Sequence, residues 1–576
     1  MKKILSFVVC LAMVLSMMVV PAMADAAFNA GTYTASAQGN NGPVTVEVVF
    51  SDDAIVSVTV TAHSETAGLS DPAIANVPAA IVAQQSLAVD TVAGATFTSK
   101  GILAAVEDCV AQAGVDPETL KTADVADAAV AEDEVLTCDV VVVGGGAAGI
   151  GAAFNAKEAG ADVILLEKQA FMGGNTLISG GLIYATGTTF QAEAGVEDSV
   201  EALVDYWFTR AEGHANKDML TMVAEKSAET VQWLQDNGVA LTGPTTSGTS
   251  LVPRMQDTGK GGAGFILPMS AKIQEMGVNV RLQVAAQSLI TDANGAVCGV
   301  EAVAADGHKV TVNAKSVVLA SGGYDNDQTM MRKYSPSYAD EYMFANPGNT
   351  GDGIKMGMAV GADTVFNDGV IGLRGVVPTS FADATNGLVW MPYLMVNQEG
   401  ERFVNEATDY PIVHTYLAAQ SGACYLLFDG TQGPAAMFGD LVEQGYAFTG
   451  DTLEAVAAAA HLPVETFLAT VARYNELKGQ EDVDFGKPAY AMGGVGEGPY
   501  TALRIMPATI GTIGGLKIDL DGHVLDTNGN AIAGLYAAGA CANGEFFYRE
   551  YPASGTSIQM CFTTGRIAGT NAAQQK

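Results

Sequence analysis

The chain is short of positive charge. It has 28 lysines and arginines against 63 aspartates and glutamates, with six histidines, for a formal net charge of −35. A field of that sign repels phosphate backbones and anionic bilayers, so nucleic acid is not an expected partner. Cysteines are few and solitary. Past the first residues they are Cys109, Cys138, Cys298, Cys424, Cys541 and Cys561. None falls in a C-x-x-C, a C-x-x-C-H or a zinc-like His/Cys spacing. Haem, zinc and iron–sulfur clusters therefore lack sequence support, and no metal site is assigned. Long apolar runs are equally scarce. The run from Ile4 to Val20 follows Met1-Lys2-Lys3 and ends at Pro21, ahead of Ala22-Met23-Ala24. It is shorter than the ~20 residues a membrane span needs, and it predicts a signal peptide over 1–24 cleaved near Ala24. The mature chain is then exported, to a periplasm or to the cell surface.

Three textures follow. Residues 25–117 hold alternating strand-like stretches, TVEVVF and IVSVTVTA, and a helical stretch, GILAAVEDCVAQAG, that ends at Gly114. Residues 118–136 are rich in Ala, Asp and Glu without a large apolar face, and predict a tether. From Thr137 onward strands alternate with helices, the pattern of an α/β domain with a parallel sheet.

The densest signal is CDVVVVGGGAAGIGAAFNAKEAGADVILLEK. Val140–Val143 reads as a buried strand, Gly144 to Gly149 as a G-x-G-x-x-G opening a helix, and Val163–Leu166 as the next strand, ended by Glu167. Gly144 permits the tight turn. Gly146 lets backbone N–H groups approach a pyrophosphate at the helix N-terminus. Gly149 allows close helix–strand packing, and Glu167 accepts from a ribose hydroxyl. The run MGGNTLISGG (172–181) is poor helix or strand material and suits a loop lining an extended flavin, which favours FAD over NAD.

Further stretches complete a pattern: SVVLASGGYDND (316–327), NTGDGIKMGMAVGAD (349–363), NQEGERFVNEATDY (397–410), IGGLKIDLDG (513–522), GLYAAGA (534–540) and GTSIQMCFTTGRIAG (555–569). With these, residues 137–576 resemble the flavoprotein subunit of the fumarate reductase family, which includes flavocytochrome fumarate reductases, urocanate reductases and ketosteroid dehydrogenases. The resemblance implies a Rossmann-type FAD-binding domain over 137–370 and 511–576, an inserted α+β capping domain over 371–510, and an active site at their junction. It implies non-covalent FAD held by Gly144, Gly146, Ala148, Gly149, Glu167, Lys168, Gly174, Asn175, Thr176, Ser179, Gly180, Gly181, Asp352, Gly539, Ser557 and Ile558. Residues 25–117, with DTVAGATFTSKG (90–101) and HSETAGLSDPAI (63–74), resemble small α+β FMN-binding domains. In those domains a flavin transferase esterifies the threonine, here Thr96, with the phosphate of FMN. Ala93 stands where the pattern usually has Ser or Thr. Gly94 and Ala95 leave the hydroxyl open, and Asp90 suits a Mg²⁺-nucleotide needed only during transfer.

At the substrate end the chain departs from dicarboxylate reductases. Their arginine proton donor falls eight residues after the position of Arg402, where this chain has Tyr410. The histidine before the IGG motif is absent from Thr509-Ile510-Gly511-Thr512, and the C-terminal clamping arginine gives way to EYPASGTS (550–557). Tyr410 and Tyr551-Pro552-Ala553-Ser554-Gly555 resemble ketosteroid dehydrogenases instead. That resemblance implies that the Tyr551 hydroxyl and the Gly555 amide bind the carbonyl oxygen of an enone, and that Tyr410 protonates its α-carbon. The reading is an exported reductase of an α,β-unsaturated carbonyl compound, an enone or enoate. Electrons reach it from a membrane or extracellular donor through FMN to FAD. Alternatives are a urocanate or fumarate reductase, or a ketosteroid-type dehydrogenase working oxidatively. Arg549 is open between a surface role and a substrate carboxylate, and His414 between packing and proton relay.

Overall fold

The computed structural model describes residues 28–92, 94–121, 130–377, 387–433 and 435–575. The expected signal peptide, the centre of the tether and Ala93 lie outside them. Two compact units emerge. One comprises the residues up to 126 except 65–72 and 92–96; the other comprises those two segments and 127–576.

The smaller unit is built on an antiparallel three-stranded meander, Gly31–Gln38, Pro43–Phe50 and Ile55–Ala62. The middle strand alternates strictly, burying Val44, Val46, Val48 and Phe50, as a sheet with one wet face requires. The helix Thr96–Gln112 buries Ile102, Ala105, Val106 and Cys109, a spacing that repeats along one helical face. Gln85 fixes the end of the helix Asp71–Gln84 by pairing its side-chain amide with both the N–H and the C=O of Ile55.

In the larger unit an eight-stranded sheet carries a parallel core. Glu134–Val143 lies between Val163–Glu167 and Lys309–Leu319, with Val140 opposite Val163 and Val141 opposite Val317. Ala531–Ala537 continues the parallel order beside Val317–Leu319. Val140, Val141 and Val142 are fully buried, because both faces of the sheet are covered. The expected tether is shorter than 118–136. Glu118–Lys121 is helical, and Glu134–Leu136 already pairs with Val310–Val312. The alternation Glu-Val-Leu-Thr served a strand edge, which composition did not reveal. Among the described residues no helix is long and apolar enough to cross a membrane.

Two long antiparallel strands, Thr364–Val376 and Tyr500–Leu516, lead into the capping region and back. Ile371 pairs with Gly511 and Gly372 with Thr509, so the boundaries expected at 370/371 and 510/511 fall inside one strand pair, next to a bulge that leaves Ile510 without a register partner. The cap itself is fastened by buried charge. Arg402 grips Glu406 at 2.9 and 2.8 Å and Asp482 at 2.7 Å, while Lys487 reaches Glu406 at 3.1 Å and the Tyr474 hydroxyl at 2.6 Å. The side chains of Glu406, Asp482 and Lys487 are wholly buried, and burial pushes the Lys487 ammonium below its ordinary pKa. Two cations and two carboxylates balance. Glu406→Gln leaves the cations one anion short and is expected to cost about 3–5 kcal/mol. Urea unfolding checks this, and wild-type stability would contradict the arrangement.

Candidate active site

The C-terminal ends of the parallel strands open into a cavity of about 650 Å³, a size suited to a cofactor or drug-sized ligand and placed where α/β sheets bind them. One end is polar. Gly144–Ala148 forms the turn and the start of the helix Ala147–Glu158. Gly144 sits at φ +106°, and a Cβ there would lie 2.5 Å from the Ala320 carbonyl oxygen. Glu167 accepts from the Gly145 and Gln169 N–H groups, both at 2.7 Å. Burial raises its carboxyl pKa, and those two donors oppose the rise. Lys168 bonds Asp352 at 2.6 Å and Thr350 at 2.7 Å.

Of the expected cofactor residues, Gly144, Gly146, Ala148, Glu167, Lys168, Gly174, Asn175, Thr176, Ser179, Gly180, Asp352, Ser557 and Ile558 line this cavity, as do Tyr410, Tyr551 and Gly555. Gly149, Gly181 and Gly539 do not. They are packing positions, where a Cβ would come within 1.8 Å of the Gly144 oxygen, 2.3 Å of the Gly261 oxygen and 2.6 Å of the Ala148 Cβ, respectively. The loop expected over 172–181 contains one helical turn, Gly174–Leu177, despite its two leading glycines. Asn175 uses its amide to bridge Ile510 and Asn346, at 2.9 and 2.7 Å, and so positions the wall. The Gly-rich turn, the helix N-terminus and the acid fit the pyrophosphate and ribose of a bound FAD.

The other end is largely apolar: Phe344, Ile371, Leu373, Trp390 and Ile510 surround Tyr410 and Tyr551, with Asp409 and Ser554 beside them. The two tyrosine rings lie 6.3 Å apart. Tyr410 opens the helix Tyr410–Ala418, whose N-cap is Asp409. Asp409 accepts from the Tyr410 N–H at 3.0 Å, the Gly248 N–H at 2.7 Å and the Ser247 hydroxyl at 3.2 Å. Sequence reading missed Asp409, although Asp-Tyr-Pro is a helix-start signature. The Tyr551 hydroxyl accepts from the Ser557 N–H at 2.9 Å, which leaves its own proton for another acceptor. Burial raises the pKa of both tyrosines and of Asp409. Lys168 is the single cation along the described wall, at the opposite end.

Arg549 lies outside this cavity. It is exposed, donates to the Asn367 carbonyl at 3.3 Å and sits over the Tyr548 ring. His414 is buried with Nε2 on the Glu341 carboxylate at 2.9–3.0 Å, also off the cavity wall. On the FMN side, Thr96 is the first residue of its helix and partly exposed, after Gly94 at φ +84°.

Comparison with known proteins agrees with this architecture. The FAD binding domain family matches residues 139–558, and the FMN-binding domain family matches 39–111. The chain belongs to the fumarate reductase family of FAD-binding flavoproteins. It is 31% identical to urocanate reductase of Eggerthella lenta over 94% of this chain and 92% of that one. It is 30% identical to NADH:acrylate oxidoreductase of Vibrio harveyi over 95% of this chain, but spans 61% of that protein's length. Among solved structures, a flavocytochrome c3 fumarate reductase matches at TM-score 0.65 and 32% identity, over 76% of this chain and 78% of its own. A 3-ketosteroid-Δ4-(5α)-dehydrogenase of Rhodococcus jostii RHA1, in complex with 4-androstene-3,17-dione, matches at 0.63 and 28%, over 77% and 98%.

One buried acid near the cavity sets a pH dependence. Asp325 is fully buried; Asn349 donates to Oδ2 at 2.7 Å, and Oδ1 has no partner. Burial raises its pKa from 3.8 to about 6. Between those values the folded chain keeps a proton that the unfolded chain has lost, so this group's contribution to stability falls as pH rises, by about 1.4 kcal/mol per unit at most. Asp325→Asn is expected to remove that decline and to be more stable than wild type at pH 7. Denaturation midpoints across pH 4–8 check it, and an unchanged slope would contradict it.

Proposed function

We propose that this protein is an exported reductase of the C=C bond of a neutral α,β-unsaturated carbonyl compound, with FAD at the large cavity and FMN esterified to Thr96. The observation that carries the reading is the pairing of Tyr410 with Tyr551 on an apolar wall. When bound, the two flavins supply electron transfer from an external donor and delivery of a hydride equivalent to the β-carbon of the alkene. The Tyr551 hydroxyl donates a hydrogen bond to the substrate carbonyl oxygen and keeps its proton, oriented by the Ser557 N–H behind it. Gly555 begins the helix Thr556–Gln574, whose positive N-terminus faces the charge that develops on that oxygen. Tyr410, held protonated at neutral pH by burial, delivers its proton to the α-carbon. Among the described residues no cation stands beside the two tyrosines to pair with a carboxylate, which favours an enone over fumarate, urocanate or acrylate. The steroid enone in the Rhodococcus structure is of the same chemical class.

For the FMN unit, the supporting feature is position. A phosphate on Thr96 sits at the N-terminus of a 17-residue helix, where an anion is favoured. The sequence of residues 1–24 supports export, so the electron donor is a membrane or extracellular one, and a flavin transferase is required.

Tyr410→Phe is expected to lower enone turnover about 10²–10⁴-fold with FAD content unchanged. Stopped-flow reoxidation of the reduced protein measures it, and wild-type turnover would remove Tyr410 from the donor role. Thr96→Ala is expected to lose one FMN phosphoester from the intact mass while keeping FAD. A wild-type mass without that adduct would end the covalent reading.

A further inference from the structure

Trp390 is set in the cavity by its backbone. Arg374 is buried, and it donates to the carbonyl oxygens of Trp390 at 3.4 Å, Met391 at 3.2 Å and Glu406 at 2.9 Å. One guanidinium thus ties the turn carrying Trp390 to the segment that leads into Tyr410. Burial lowers the Arg374 pKa to about 10, so the group remains charged at neutral pH. The indole stands edge-on to Tyr410, with ring centroids 5.5 Å apart and planes at 78°. It lines the cavity and retains 42% exposure, whereas Trp207 and Trp233 are buried to 2% and 8%. Phe344, Leu373 and Ile510 extend the same apolar wall.

A large aromatic surface left open beside Tyr410 gains by stacking on a flat ligand, and among the described residues no cation lines that wall, so an uncharged ring suits it. We infer that Trp390 is the specificity-determining residue of this site and selects enones that carry an aryl ring conjugated with the alkene over compact alkyl enones. The inference rests on the enone-reductase reading and narrows its substrate class. Chemistry at the alkene is untouched: Trp390 supplies neither proton nor charge, and acts through binding.

The test compares 4-phenyl-3-buten-2-one with 3-penten-2-one, the same enone bearing phenyl or methyl at the β-carbon. The full-length, flavin-loaded protein is used, with reduced methyl viologen as donor. In Trp390→Ala the phenyl-to-methyl ratio of kcat/KM is expected to fall about tenfold. The loss enters through KM for the phenyl substrate, while the methyl enone changes less than about twofold. Trp390→Phe, which keeps a ring, is expected to retain most of the ratio, whereas Trp390→Leu, apolar without a ring, is expected to lose it as alanine does and stands in if the alanine variant does not fold. The dissociation constant of the saturated ketone 4-phenyl-2-butanone, measured by calorimetry, is expected to weaken about tenfold in the alanine variant without any turnover. An unchanged ratio in the ringless variant, or equal loss for both enones, overturns the inference and leaves the functional reading in place. A wild-type protein that reduces neither enone overturns both.

Discussion

The Asp409 carboxylate joins three remote parts of the chain at one point. Its oxygens receive the Tyr410 N–H, the Gly248 N–H and the Ser247 hydroxyl, and the Ser247 oxygen in turn accepts from the Ser554 N–H at 2.8 Å. Among the described residues no salt bridge reaches it, although the buried Arg374 guanidinium is near enough to interact with its charge. Burial pushes its pKa up, and the donors offset the cost of the buried charge. Because the same carboxylate caps the helix that starts at Tyr410 and reaches the segment that ends at Gly555, Tyr410 and Tyr551 face one space. Removing that junction would release the two halves of the site from each other.

Around that junction the cavity divides by polarity. The cofactor end is backbone N–H groups, Glu167, Lys168 and Asp352, supplied by the ends of parallel strands. The substrate end is rings and branched side chains, supplied by the cap and by the two strands Thr364–Val376 and Tyr500–Leu516. These strands are hydrogen-bonded to each other across the domain boundary, so the cap does not hang from two free linkers. The buried Arg402–Glu406–Lys487–Asp482 cluster keeps the cap segment that precedes Asp409 in one conformation. Placement of Tyr410 therefore depends on electrostatics well away from the reacting atoms.

Much of this was legible where the signal is local. Strand, glycine turn, helix, strand and acid follow one another within about thirty residues, and each has its own period or steric requirement. The alternation of Val44, Val46 and Val48 was equally readable. The tether was misread because Glu134–Leu136 gains its partner from residues 310–312, which no local window shows. Gly181 and Gly539 were expected at the cofactor, yet both are packed against backbone or a methyl group and lie off the cavity wall; Gly149 packs as its place in the motif requires, and it too lies off that wall. The apolar wall of Phe344, Trp390 and Ile510 was invisible, because it converges from three distant segments, each of which reads as ordinary core. Tyr410 and Tyr551 were singled out through resemblance rather than spacing, and both line the cavity.

The central claim is that the substrate is a neutral enone polarised by Tyr551 and protonated by Tyr410. Its most direct test is anaerobic reoxidation of the reduced, flavin-loaded protein by 4-phenyl-3-buten-2-one and, separately, by fumarate. The account predicts rapid reappearance of oxidised flavin with the enone, with 4-phenyl-2-butanone as product, and no reoxidation with fumarate. Reoxidation by fumarate with formation of succinate, and none by the enone, would contradict it.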